Sequence, residues 1–592
     1  MSDAEEHPRP LLQRAGWASL DGTWDFALDR EAKWRRPDEV AWDARIRVPF
    51  APETPASGIG FEGESLAFWY RRTLEVPELA PGERWLVHFG AVDHEATVWI
   101  DGRLAGRHEG GYTPFAVDAA EHLPQGGTCE LVVRAHDDPR DLAKPRGKQT
   151  WRAKPHAIWY PRTSGIWRTV WCERLPATHL ASLSWSADWT RFAIGLEAEV
   201  AGPAAGLQLR VRLSAAGRLL VDDAYRVERG RLARWFALPD GADERDELSW
   251  SPDWPRLLDA ELTLLDGEGR VLDAVTSYTA MRHVGWEHGR FTWNGRPCFL
   301  RLVLDQGYWP ETGATPPDAA ALRRDVELAK QLGFNGVRKH QKTEDPRWLA
   351  WADRLGLLVF TELPAAQRFD ATAVRRGLAE WGEIVRAHRG HPCVAGWVPV
   401  NESWGVPALA DDPAQRAYVR ALVETARALD PTRPAVGNDG WEIVGGDLVC
   451  VHDYEQDPAV LAARWARDET VASHLAGFAP VSGPAIRRRL LLDPPAREGR
   501  PVLVSEFGGV GLSDDAQVWG YSMARDPDDL VRRYAALCRA LVRSEALSGF
   551  CYTQLTDTYQ EVNGLLRMDR TPKAPPERLA RATRGLLDPE EA

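Results

Sequence analysis

The 592-residue sequence predicts a multidomain chain in which two all-β units precede a (β/α)8 TIM barrel. Three observations lead there. A single core does not serve a chain of this length, because domains run to about 150 residues. Apolar residues alternate at period two as far as residue 282. From residue 283 onward, short apolar runs that read as strands alternate with helical stripes, and eight such runs fit a barrel.

Residues 1–180 make the first unit. In RWLVHFGAVDHEATVWIDGRLAG, Asp101-Gly102 separates Thr97–Ile100 from Arg103–Gly106. Asp-Gly between short strands signals a type I′ hairpin. Residues 181–282 make the second unit. Phe192, Ile194, Leu196, Ala198 and Val200 alternate with small or charged residues, as do Leu207, Leu209, Val211 and Leu213. That spacing suits a small β-sandwich. In residues 283–592 the strand CFLRLVL comes first, and a helical pattern from Pro317 carries Leu322, Val326, Ala329 and Leu332 on one stripe. Gly333 is the expected C-terminal cap. NGVRKH and LLVFTELP supply the second and third strands. Val394–Asn401, Ala435–Asp439, Leu448–His452, Pro501–Glu506 and Leu547–Thr553 supply the other five.

Composition narrows the function. The net charge of −13 argues against a nucleic-acid partner, since phosphate binding needs a basic face. No run of 18 apolar residues exists to span a membrane. MSDAEEHPRP has neither a basic nor an apolar leader region, and the seven cysteines are scattered without CxxC spacing, so a cytoplasmic location is expected. Most of the 27 tryptophans are expected in cores and domain contacts, leaving a few as stacking faces for sugars.

The chemistry is expected where barrel strands end. The second strand ends in Arg338-Lys339-His340, the third in Glu362, the fourth in Asn401-Glu402, the sixth in His452-Asp453-Tyr454 and the seventh in Glu506. Two carboxylates facing each other across a pocket are the minimal machinery for cleaving a glycosidic bond: one protonated to release the leaving group, the other ionised. Asp305 follows the first strand as a candidate for a sugar hydroxyl, and His340 and His452 are further hydroxyl candidates. Trp404, Trp441 and Gln554 are expected to line the pocket. These histidines, with His388 and His391, lack HExxH-type spacing, so neither a metal site nor a cofactor is expected.

These segments resemble glycoside hydrolase family 2, which includes β-galactosidases, β-glucuronidases and β-mannosidases. FWYRRTLEVPE and GAVDHEATVWIDGRLAGRHEGGYTPFAVD resemble its sugar-binding jelly roll, and RTSGIWRTVWCE leads into its immunoglobulin-like sandwich. NGVRKHQKTEDPRWLAWADRLGLLVFTELP, HPCVAGWVPVNESWG and VLVSEFGG are similar to its barrel segments, in order. The resemblance implies that Glu402 is the acid/base and Glu506 the nucleophile of a retaining double displacement. It also implies that Asn401 bonds the sugar 2-hydroxyl, with Arg338 and Tyr454 holding Glu506 ionised. Glucuronidases of the family carry an Asn-x-Lys that grips the sugar carboxylate. The matching stretch here, QEVNGLLRMDR, has no lysine, which favours a neutral sugar.

The expectation is therefore an exo-acting, retaining, β-galactoside-like glycosidase, with galactofuranosides and arabinofuranosides as variants. A glycoside is its expected partner, and a homo-oligomer is compatible with the sequence. The competing expectation is a non-catalytic carbohydrate-binding protein built on a dead barrel.

Overall fold

A computed structural model describes residues 7–124, 126–203, 205–480, 487–493 and 499–588. The first sandwich faces a six-stranded antiparallel sheet against a four-stranded one. Its core buries Trp24, Phe26, Phe68, Tyr70, Val87, Val98, Leu131 and Val133. The Asp-Gly turn joins Glu95–Ile100 to Arg103–Glu109, and both turn residues have positive φ, 49° and 73°, as a type I′ turn requires. In the second sandwich a three-stranded sheet packs on a four-stranded one. Ile194, Leu196, Leu209, Val211 and Leu213 are buried there, so the alternating positions do face the core.

The barrel strands are β1 (Leu300–Asp305), β2 (Gly336–Lys339), β3 (Leu358–Glu362), β4 (Val394–Val398), β5 (Asn438–Asp439), β6 (Val449–Asp453), β7 (Val502–Gly508) and β8 (Leu547–Thr553). Seven lie in one parallel sheet, ordered β4-β3-β2-β1-β8-β7-β6. β5 closes the circle. It pairs in parallel with Val400–Asn401, and single bridges join Trp397 to Ala435 and Val436 to Leu448.

The outer helices are α1 (Ala319–Gln331), α2 (Pro346–Leu355), α3 (Ala371–His388), α4 (Pro413–Leu429), α5 (Pro458–Trp465), α6 (Asp468–Leu475), α7 (Pro527–Val542) and α8 (Pro576–Thr583). Asp318, Asp345, Asp370, Asp412, Asp457 and Asp526 each accept a first-turn N–H, which satisfies a donor that the helix cannot. α1 ends as expected at Gly333, φ 88°. The Gly333 N–H reaches Lys330 O at 2.9 Å and the Phe334 N–H reaches Ala329 O at 3.2 Å, which is a Schellman closure.

Candidate active site

Arg338, at the end of β2, organises the barrel mouth. Its Nη1 donates to Glu506 Oε1 at 2.8 Å and its Nη2 to Asn401 Oδ1 at 2.6 Å. Nη2 also pairs with Glu362 Oε2 at 3.0 Å, and Nε lies 3.5 Å from Asp439 Oδ2. One guanidinium thus ties together the ends of β2, β3, β5 and β7 and the segment after β4. Although burial opposes its charge, Asp439, Glu362 and Glu506 outweigh burial and hold it protonated.

Glu506 takes a second hydrogen bond, from the Tyr454 hydroxyl at 2.5 Å on Oε2. Burial alone would raise this carboxyl, but His452, Arg338, His340 and the Tyr454 bond overcome it, and the group sits below its ordinary range. Tyr454 is pushed well above the ordinary phenol range by burial and by Glu506, so it remains a neutral donor. Tyr521 stacks on Tyr454 with ring centroids 3.6 Å apart.

Glu402 lies at the mouth with its side chain 18% exposed, three times the figure for Glu506. It and Ser403 both have left-handed backbones, φ 50° and 58°, a conformation that costs a non-glycine residue on the order of 1 kcal/mol. The surroundings hold it. The Glu402 N–H donates to Asp439 O at 2.9 Å, the Ser403 N–H to Asn438 Oδ1 at 3.0 Å, and Ser403 Oγ to Glu442 Oε2 at 2.6 Å.

His452 bridges the two glutamates. Its Nδ1 is 2.8 Å from Glu402 Oε1, and its Nε2 is 2.9 Å from Asp439 Oδ1 and 3.4 Å from Glu506 Oε1. One oxygen of Glu402, one of Glu506 and a His452 nitrogen all lie within 4.8 Å of one another. Burial would lower the imidazole, yet Glu506, Asp439 and Glu402 together push it up to about 10. A protonated imidazole donates from both nitrogens, here to the Glu402 and Asp439 carboxylates. Asp439, driven to about 2 by Arg338, His452 and Ser505 against its burial, is the counter-ion.

The other expected residues divide. His340 Nδ1 pairs with Glu362 Oε2 at 3.1 Å, and its ring lies 6.0 Å from that of Trp404. Trp441 packs edge-on against His452 at 5.8 Å. Gln554 accepts a hydrogen bond from Gln306 at 2.8 Å, and its own Nε2 is buried without a partner among the described residues. Asp305 is engaged elsewhere: Oδ2 pairs with Lys339 at 2.6 Å and Oδ1 accepts the Gly307 N–H at 2.9 Å, within a buried cluster that includes Glu344. His391 pairs with Asp353 at 2.6 Å, away from this group.

Several residues here were missed from sequence. Asp439 ends the fifth strand, and the rule applied to the other strand ends would have found it. Trp159 carries no such signal, because it lies far from the barrel strands in sequence, in the segment between the strands Thr128–His136 and Gly165–Ile166. Trp159 nevertheless lies with its ring 5.2 Å from that of Trp404.

A buried glutamate and a half-buried one, bridged by a histidine at the C-terminal end of a (β/α)8 barrel, define the class of two-carboxylate barrel proteins. The comparisons make this specific. Residues 286–457 match the TIM barrel domain of glycosyl hydrolases family 2, and residues 59–176 match that family's sugar binding domain. The chain belongs to glycoside hydrolase family 2. It is 28% identical over 412 residues to a β-galactosidase of Thermoanaerobacter pseudethanolicus, covering 66% of this chain and 51% of that protein. It is 24% identical over 483 residues to the β-glucuronidase of Canis lupus familiaris, covering 74% and 71% of the two chains. The match to a Formosa agariphila relative spans only 44% of that protein's length, so the chain covers about half of the first relatives it resembles. Among solved structures, Bifidobacterium dentium β-glucuronidase complexed with coumarin-3-O-glucuronide superposes with a TM-score of 0.78 at 19% identity, covering 97% and 98% of the two chains. Eisenbergiella tayi β-galacturonidase bound to galacturonate gives 0.73 at 20%, covering 98% and 99%.

Proposed function

We propose that this chain is a retaining exo-glycosidase that hydrolyses a terminal neutral sugar, β-galactoside-like in class. The observation that carries the reading is the Arg338–Glu506–Tyr454 arrangement, with Glu402 facing it within 4.8 Å. Retaining enzymes hold their two carboxyl groups about 5–5.5 Å apart, whereas inverting enzymes leave about 6.5–9.5 Å for a water. In the first step a Glu506 oxygen bonds to the anomeric carbon while Glu402 gives its proton to the departing glycosidic oxygen. In the second, Glu402 removes a proton from water, the water oxygen bonds to the anomeric carbon, and Glu506 leaves as carboxylate. Asn401, fixed by Arg338, is suited to bond the sugar 2-hydroxyl. The neutral class is supported by QEVNGLLRMDR, which lacks a lysine, although relatives include galactosidases and glucuronidases alike. All seven cysteines are free, and no helix among the described residues is long and apolar enough to cross a membrane; the thiols suit work in the cytoplasm.

A panel of nitrophenyl glycosides assayed on the purified protein identifies the sugar. Glu506→Ala should then reduce turnover of the best substrate by at least about 10⁴-fold, and azide should restore it, yielding a glycosyl azide of inverted anomeric configuration. Near-normal turnover by Glu506→Ala would overturn the assignment. A wild-type protein that binds these glycosides without cleaving them would instead favour the carbohydrate-binding reading.

A further inference from the structure

Residues 146–160 leave the first sandwich and lie across the catalytic face of the barrel. The Arg146 and Gly147 N–H groups donate to Ala365 O, beyond β3, at 3.1 and 3.2 Å. The Ala157 carbonyl accepts from Trp519 Nε1 at 3.2 Å and from Gln560 Nε2 at 2.7 Å, beyond β7 and β8. The Tyr160 ring packs 5.2 Å from that of Tyr308, beyond β1. Lys148 is thereby held among the strand ends.

Its surroundings are unusual for a buried cation. The Lys148 side chain is 6% exposed, as is that of Glu506. Its Nζ lies 3.5 Å from the Tyr160 hydroxyl and 3.7 Å from Glu561 Oε2, and these are its polar contacts among the described residues. Glu561 does not depend on it: Oε2 accepts from Tyr160 at 2.5 Å and Oε1 from Asn563 at 3.1 Å. An ammonium carries three donors, and removing one from water without short acceptors is costly unless something else accepts. The pocket is close: Gly147, next to Lys148 in the chain, packs against the backbone of Gln341, and the Trp159 ring lies 5.2 Å from that of Trp404, itself 6.0 Å from the His340 ring beside Glu362. The backbone N–H of Gln554, whose side-chain Nε2 is unpartnered, donates to the Asn563 carbonyl at 3.1 Å.

We propose that Lys148, supplied by the first domain, is a substrate-binding residue that grips a hydroxyl of the terminal sugar together with Glu561. This rests on the glycosidase reading above and deepens it. The adjacent carboxylate decides the ligand. A sugar carboxylate would gain the ammonium but meet Glu561, whereas a hydroxyl accepts from Lys148 and donates to Glu561.

The test uses the full chain and compares Lys148→Ala, Lys148→Gln and the double variant Lys148→Ala/Glu561→Gln, which leaves no unpaired buried charge if the single variant fails to fold. On the best neutral nitrophenyl glycoside, Lys148→Ala should lower kcat/KM by about 10–100-fold, the effect of losing one charged hydrogen bond. Lys148→Gln, which still donates, should stay within about 5-fold of wild type, a rescue that a purely structural role would not produce. In the Glu506→Ala background, the calorimetric Kd for the same glycoside should rise by a similar factor, a readout that survives even if the hydrolytic reading fails. Unchanged kcat/KM and Kd in Lys148→Ala and the double variant would overturn the proposal. So would a wild type most active on nitrophenyl glucuronide or galacturonide in which Lys148→Gln loses as much as Lys148→Ala, because that pattern reports a carboxylate bound by charge.

Discussion

At the residue scale, His452 is the group whose removal should be most informative. It lies between the proposed acid/base and the proposed nucleophile, and its charge is the first of those that hold Glu506 below the ordinary carboxylate range against burial. His452→Gln should therefore move the acidic limb of the kcat/KM profile to higher pH and lower kcat/KM by about 100-fold or more, as expected when a buried ion loses its partner. An acidic limb left in place would assign the depression of Glu506 to Arg338, His340 and the Tyr454 hydrogen bond. Stability should change as well. The folded-state value of about 10 lies above the ordinary 6.5, so this contribution is complete below pH 6.5 and is lost as pH rises through 10. Wild type should lose stability over that interval, and the variant should lack the slope.

At the element scale, the segment crossing the barrel mouth depends on one glycine. Gly147 has φ 57°, and a Cβ there would lie 2.1 Å from the Gln341 carbonyl oxygen. Backbone on the other side cannot yield as a side chain can. Gly147→Ala should lift the segment off the barrel, cost about 1–3 kcal/mol of stability, and raise KM with the neutral glycoside. Denaturant unfolding combined with kinetics checks this. A variant of wild-type stability and KM would mean that the segment does not need this close approach.

Across the whole molecule, α3 carries a second contact between residues 1–180 and the barrel, besides that of residues 146–160. Arg375 and Arg376 bind Glu109, Glu383 accepts from Thr113 at 2.6 Å, and Glu380 Oε1 accepts the Tyr112 N–H at 2.8 Å. Glu380 is buried at this contact, and burial raises its carboxyl to about 8, from an ordinary 4.5. The folded state therefore holds a proton that the unfolded chain releases. The associated stability is complete below pH 4.5 and is lost as pH rises to 8. Glu380→Gln keeps the acceptor without the charge, so it should raise stability at pH 8 by on the order of 1 kcal/mol and flatten the dependence between pH 4.5 and 8. Parallel pH profiles for the two proteins would show that Glu380 is ionised at the interface.

Much of the architecture was legible because its causes are local. Strand alternation, the Asp101-Gly102 turn and the Gly333 cap depend on residues next to one another in the chain, and a period or a φ requirement exposes them. The barrel's topology carries this further: once strands are counted, their ends must converge, and this alone brings Arg338, Asn401, Glu402, Tyr454 and Glu506 to one place. Other relations required the folded chain. Whether Asp305 faces sugar or Lys339 depends on a lysine one strand away, since a buried carboxylate goes to the nearest cation. The charge of His452 depends on carboxylates from three separate strand ends. Lys148 meets Glu561, and Trp159 meets Trp404, only because two domains dock, and no spacing within either domain encodes those contacts. The sequence by itself determined the elements and the reactive groups at their ends, through short-range sterics and hydrophobic periodicity. The tertiary structure alone decided which buried charges meet, because electrostatic partners are set by distance in space rather than along the chain.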